Sequence, residues 1–406
     1  MRVNTLKKGC FLQLRAMFFG SACRVLCLLC ILAMPLSAQA APASEGKVMG
    51  RKASLEIMVG QMIIAGFRGT GVVFHGNKDA VLEGEYGNLL EDVRQGRLGG
   101  VIYFDRDAVL QKYGRNILSL EQVAALSASL QKMAKIPLFI AIDQEGGRVA
   151  RLLPEHGVPL MPSAKMMGLL PEKEVEHLAA KNAQYLARAG INLNFAPSLD
   201  VDVNPQSPVI GAVGRAFSAD EKTVARYGAA FARGQWQGRV VSAFKHFPGH
   251  GSALFDTHHG MTDITSTWEE RELFPYLALR DAPEPAMVMV AHIMHRALDA
   301  NNPATLSPAI VTGLLREKIG WQGVVVTDDM QMGAITAETT SLRETVRRAV
   351  LAGSDILLFG NNLEHDPHLV RKVHGLLVDL VRSGEIAEER VALSYQRIMQ
   401  LKKTAL

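Results

Sequence analysis

The stretch Lys245-His246-Phe247-Pro248-Gly249-His250-Gly251, continued after four residues by Asp256-Thr257-His258-His259, gathers one ammonium, one carboxylate and four imidazoles into fifteen positions. Pro248, Gly249 and Gly251 allow sharp turns that expose side chains. Asp256 and His258 stand two apart and can meet across such a turn. A carboxylate bonded to an imidazole fixes the ring tautomer and raises its pKa above the usual value of about 6.5, which suits a group that gives up a proton and later recovers it. His246, His250, Asp256, His258 and His259 are also donor types that zinc accepts. The H-x3-H pair lies in a Pro/Gly loop where helical i, i+4 geometry cannot hold, so proton transfer and ligand binding explain these residues better; no metal and no cofactor are expected.

Such groups need a rigid frame. Short apolar runs at 62–67, 100–104, 138–142, 191–195, 240–244, 287–291, 324–327 and 356–359 read as eight strands. Amphipathic stretches separate them, among them 172–188, 220–236, 307–318, 341–352 and 387–401. Continuous apolar strands alternating with helices indicate a parallel sheet covered on both faces, and eight units favour a closed (β/α)8 barrel of TIM type in a single domain; an open doubly wound sheet is the other solution. Asp143, Asp200, Lys245-His246, His292, Asp328 and Asn361 all fall at or just beyond a strand's carboxyl end, the rim on which barrels build active sites. Thr327-Asp328-Asp329 there suits a helix N-cap or a supporting ion pair as well as catalysis, and Asp329 should be structural because neighbours on a strand point opposite ways. His292 reads equally as a buried hydrogen-bonded histidine or a ligand contact. Two longer connections, 69–97 and 105–118, have the length of functional or mobile loops.

The motif K-H-F-P-G-H-G-x4-D-T-H resembles the signature of the β-N-acetylglucosaminidases of glycoside hydrolase family 3. Asp143-Gln144-Glu145-Gly146-Gly147-Arg148-Val149-Ala150-Arg151, the pair of segments Val209-Ile210-Gly211 and Gly214-Arg215-Ala216-Phe217-Ser218, and Val325-Val326-Thr327-Asp328-Asp329-Met330 are similar to other family motifs in order and spacing. The resemblance covers roughly 54–400. It implies a retaining exo-β-N-acetylglucosaminidase with Asp328 as nucleophile, His258 as general acid/base, Asp256 as its partner, and Asp143, Arg151, Arg215, Lys245 and His246 as contacts to the terminal sugar. The segment after Gly211 is longer than the common pattern, which bears on Arg215, and His259 adjoins His258. A β-N-acetylglucosaminide phosphorylase and a β-glucosidase of the same fold are the competing readings: a histidine acid/base permits attack by phosphate, and family glucosidases generally draw a carboxylate acid/base from another domain.

The first 40 residues carry Arg2, Lys7, Lys8, Arg15 and Arg24 with no acidic residue, then an apolar run and Ala38-Gln39-Ala40. This is a secretory signal pattern with cleavage expected after Ala40, a chain at 41–406, and export to the periplasm or medium; a retained N-terminal anchor is the alternative. All four cysteines lie in that leader. Without it the charge changes from +4 to −1, 39 basic against 40 acidic residues. That balance points away from nucleic acid and anionic membrane and fits a neutral small substrate; no stable membrane insertion of the mature chain is expected, and the resemblance together with export implies an oligosaccharide or muropeptide substrate. Oligomeric state is not legible.

Overall fold

The computed structural model describes residues 53–75, 79–83, 88–257, 260–336 and 341–406. Its centre is a closed barrel of eight parallel strands: β1 (Ile63–Gly66), β2 (Gly100–Ile102), β3 (Phe139–Ile142), β4 (Leu193–Asn194), β5 (Val241–Phe247), β6 (Ala286–Val290), β7 (Val324–Asp329) and β8 (Ile356–Phe359). Each strand pairs with its sequence neighbours, and β1 closes on β8 through Ile63↔Leu357 to Ala65↔Phe359. All eight expected strands are present, and the sheet is a barrel rather than an open sheet. Their residues are apolar throughout because one face packs the barrel interior and the other the helices; Ile64, Val101, Ile140, Leu193, Val241, Val288, Val326 and Leu357 are all buried.

The surrounding helices start where the sequence supplies caps. Ser119 accepts the Gln122 amide at the head of α1 (Leu120–Met133), Asp220 accepts that of Thr223 ahead of α3 (Glu221–Gln237), and Ser341 that of Glu344 ahead of α4 (Leu342–Ala352). Between the first two, α2 (Glu172–Arg188) buries Val175, Ala179, Ala183 and Leu186 at helical spacing. Further along, α5 (Leu369–Arg382) and α6 (Glu388–Ala405) complete the outer layer with the helical segment Ala309–Ile319. At the amino-terminal end of the barrel, Lys402 of α6 is buried and donates to Gln61 Oε1, Gly99 O and Pro137 O, 2.6–2.7 Å away, above the Phe139 ring. It ties together the entries to β1, β2 and β3. No helix among the described residues is long and apolar enough to cross a membrane.

Strand register is irregular in two places, between β5 and β6 near Val288 and Val290, and between β7 and β8 near Val326 and Asp329. Both lie toward the carboxyl rim. Local breaks of this kind re-aim side chains, and these two adjoin the Lys245-His246 and Asp328 positions.

Candidate active site

Strand β5 runs three residues beyond the apolar stretch, so Lys245 and His246 are inside the strand. Lys245 is almost wholly buried, a position a cation holds only when paired. Its Nζ lies 2.8 Å from Asp143 Oδ1 at the end of β3 and 2.7 Å from Glu145 Oε1. Glu145, also buried, takes a two-pronged bond from Arg215, Nε to Oε2 at 2.9 Å and Nη2 to Oε1 at 2.7 Å. Arg215 Nη2 continues to His246 Nε2 at 3.0 Å, and His246 Nδ1 reaches Asp200 Oδ2 at 2.6 Å. The result is one unbroken chain: Asp143, Lys245, Glu145, Arg215, His246, Asp200.

The chain also assigns protons. An ionised Asp200 only accepts, so the His246 hydrogen sits on Nδ1, and Arg215 only donates, so Nε2 is the acceptor. Burial opposes ionisation of Glu145, but Arg215 and Lys245 outweigh it and hold the acid well below the usual carboxylate range. The same balance raises Lys245: burial would lower it, while Asp143 and Glu145 more than compensate. The charges are therefore fixed and oriented before any ligand arrives.

Asp328 lies near the end of β7, half-buried, and faces the same cavity of about 330 Å3 as Asp143, Arg151, Arg215, Lys245 and His246. The structure thus brings the expected nucleophile and all five expected sugar contacts to one site. Arg151 Nη2 stands 3.8 Å from Asp143 Oδ2, with its guanidinium over the Phe104 ring. Asp329 also borders the cavity, but its carboxylate accepts the Gly360 amide at 2.9 Å and the Gln331 amide at 3.1 Å, pinning the end of β7 to that of β8. A side chain at Gly360 would collide with it. His292, fully buried on the β6 side, donates through Nε2 to the Asp329 carbonyl at 2.9 Å and meets Thr305 Oγ1 through Nδ1 at 2.7 Å. It is thereby a support for β7 and does not border the cavity.

The loop that leaves β5 carries the remaining expected groups. Asp256 is half-buried outside the cavity lining, and Thr257 is held by the Ala334 amide at 3.2 Å. His258 and His259 lie outside the described residues. Burial holds His250 down at about 4, and it packs edge-on against His246. No group of three or more His, Cys, Asp or Glu suited to a metal ion exists among the described residues.

The model of the "Glycosyl hydrolase family 3 N terminal domain" matches residues 59–401. The chain belongs to glycoside hydrolase family 3. It is 33% identical over 368 residues to the β-hexosaminidase A of Pseudoalteromonas piscicida, covering 85% of this chain and 60% of that protein. Against a β-hexosaminidase of Chromobacterium violaceum it is 35% identical over 278 residues, 66% of this chain and 73% of that one. Among solved structures it is similar to a family 3 β-N-acetylglucosaminidase from a Paenibacillus species (TM-score 0.75, 34% identity, 87% of this chain and 62% of that chain). A β-N-acetylhexosaminidase from Beutenbergia cavernae superposes with TM-score 0.74 at 28% identity, over 87% of this chain and 99% of that chain. The chain thus spans about three fifths of the length of the first of these relatives and nearly all of the last.

Of the two long connections in this family 3 barrel, only 105–118 reaches the cavity with described residues, through Asp105, Arg106, Ala108 and Gln111. It forms a small hairpin, Arg106–Asp107 against Lys112–Tyr113. Asp107 anchors it by accepting from Arg68 Nε at 2.6 Å, from the buried Arg115, and from the Leu110 amide at 2.8 Å. Asn362, beyond β8, exchanges bonds with the Ala108 amide at 2.9 Å and the Arg106 carbonyl at 3.1 Å. These bonds tie the base of the hairpin to the loops after β1 and β8, where it forms one wall of the cavity. The sequence marked this connection by length alone; Glu145 was visible inside a motif but without a partner, and Asp200 only as a strand-end carboxylate.

Proposed function

We propose that this family 3 chain is a retaining exo-β-N-acetylglucosaminidase that removes terminal non-reducing β-linked N-acetylhexosamine from cell-wall fragments or chitooligosaccharides. The observation that carries the reading is the convergence of Asp328, Asp143, Arg151 and Lys245 on one small cavity at the carboxyl rim of the barrel. Asp328 shares that cavity with the cations Lys245, Arg151 and Arg215, a setting suited to a carboxylate nucleophile, and Asp143 and Arg151 offer the acceptor and donors that sugar hydroxyls need. The choice of N-acetylhexosamine leans on the relatives, whose names are β-hexosaminidase and β-N-acetylglucosaminidase.

In this reading an Asp328 oxygen bonds to the anomeric carbon as the bond to the leaving oxygen breaks, and that oxygen takes a proton from His258, partnered by Asp256. Water then gives a proton to His258 and attacks the same carbon, freeing Asp328. Two inversions leave the β configuration intact. The leader at 1–40 would direct export, with the working chain starting at Ala41.

The test is hydrolysis of a chromogenic β-N-acetylglucosaminide, with NMR of the first-formed sugar anomer and mass mapping of protein trapped by a slow 2-deoxy-2-fluoro sugar. The expected outcome is β-product first, label on Asp328, and rates unchanged by a chelator. Initial α-product or a label on another carboxylate rejects the mechanism. Sugar 1-phosphate formed in phosphate buffer would reassign the chain as a phosphorylase. The intact mass of secreted protein reports the cleavage point.

A further inference from the structure

We infer that Glu272 is a positioning residue for the loop that carries the acid/base, acting through the amide of Gly251. The inference rests on the reading above, in which Asp256 and His258 on that loop deliver the proton. Glu272 lies in the single turn Glu270–Leu273 ahead of the helix Phe274–Leu279, a fully buried carboxylate with no cation at ion-pair distance among the described residues. Its Oε2 accepts from the Gly251 amide at 3.0 Å, and Oε1 closes the turn on the Glu269 amide at 3.4 Å.

The loop root is held against this carboxylate by its own glycines. Gly249 has φ +123°, and a Cβ there would stand 2.6 Å from the Glu272 Cβ; a Cβ on Gly251 would strike the Val201 carbonyl. Trp268, from the same stretch as Glu272, adds a bond from Nε1 to the Pro248 carbonyl at 3.1 Å. Asp200 in turn accepts the amides of His250 at 2.8 Å and His246 at 3.2 Å. Two buried carboxylates therefore grip one short piece of backbone. They differ in reach: Asp200 also bonds the His246 ring, a sugar-side group, whereas among the described residues the hydrogen bonds of Glu272 go to Gly251 and Glu269, neither of which lines the cavity. Loss of Asp200 would disturb sugar binding and proton delivery together, while loss of Glu272 disturbs the loop alone.

Titratable groups that act on Glu272 are Asp200 from the loop side, Tyr276 from the helix that follows it, and Glu269 in its own turn. Burial pushes Glu272 up to about 7, with the Asp200 charge adding to it. The bond to the Gly251 amide is stronger for the ionised acid, so it weakens as pH falls through that value.

A leaving group that departs without a proton gives the discriminating test. kcat/KM is measured for phenyl and 2,4-dinitrophenyl β-N-acetylglucosaminides with wild type, Glu272→Ala and Glu272→Gln. Glu272→Ala is expected to lose about 30-fold on the phenyl substrate and less than about 3-fold on the dinitrophenyl one. Glu272→Gln keeps a neutral acceptor, so its selective loss is about 5-fold at pH 8 and vanishes at pH 6, where wild type is protonated too. Equal losses on both substrates, or no loss on either, overturn the inference. Should the alanine variant fail to accumulate, the glutamine variant decides alone: a loss independent of pH or of leaving group is the overturning result. Wild type that cleaves neither glycoside refutes the underlying reading and this inference with it.

Discussion

Asp328→Asn is expected to lower kcat by about 10,000-fold or more on any β-N-acetylglucosaminide while leaving the fold intact. An amide is nearly isosteric with the carboxylate but has no charge with which to attack the anomeric carbon. The bond that Asp328 makes locally, Oδ1 accepting the Asp329 amide at 2.8 Å, is one that asparagine preserves. Thermal melting should therefore move by no more than a degree or two. Asp329→Ala, which removes the acceptor altogether, is the instructive contrast. Its carboxylate accepts two backbone amides that fix the β7–β8 edge, so that change should lower the melting temperature and reduce kcat more modestly, through misplacement of Asp328. If Asp328→Asn kept a tenth of wild-type activity while another carboxylate proved indispensable, the nucleophile would have to be sought elsewhere on the rim.

The barrel was legible because its strands are continuous apolar runs, and burial on both faces demands that. Polar residues that belong to a strand are invisible to the same rule. The run at 240–244 stops at Phe244, yet β5 continues to Phe247, since Lys245 and His246 face partners just past the end of β3 and in the loop after β4. At 191–195 the reverse holds: β4 proper is only Leu193–Asn194, and Phe195 leads into the turn that presents Asp200. The family resemblance assigned Asp143, Arg151, Arg215, Lys245, His246 and Asp328 to one site, and the cavity brings them together. It could not show what holds them. Glu145 meets Arg215 across 70 residues of chain, and Asp200 meets His246 across 46; no local pattern reports such distances. Glu272 carries no sequence signal at all, because a glutamate in an amphipathic stretch normally faces water. The leader and the imidazole at 258, two further readings of the sequence, lie outside the described residues.

Glu145 is where removal of a single atom's charge should reach furthest through the site. Its two oxygens answer Arg215 and Lys245, both nearly buried, and cutting one partner out of a buried pair costs about 3–5 kcal/mol because the other charge stays desolvated. Glu145→Gln retains one acceptor oxygen, so a loss near the lower end is expected, read as a melting temperature lower by several degrees at pH 7. The sign with pH follows from the depressed acid. Its stabilising contribution is present above the ordinary glutamate range and is lost as pH falls through the lower value it has in the fold. The gap between wild type and Glu145→Gln should therefore be full at pH 7 and close on acidification below about 4.3, the ordinary glutamate value. Activity should fall about 100-fold, since Lys245 would then turn wholly toward Asp143 and withdraw that carboxylate from the sugar, while Arg215 would lose the anchor that holds it against His246. A variant as stable and as active as wild type at pH 7 would mean that Asp143 alone compensates both cations, and that the chain from Asp143 to Asp200 is not what organises the pocket.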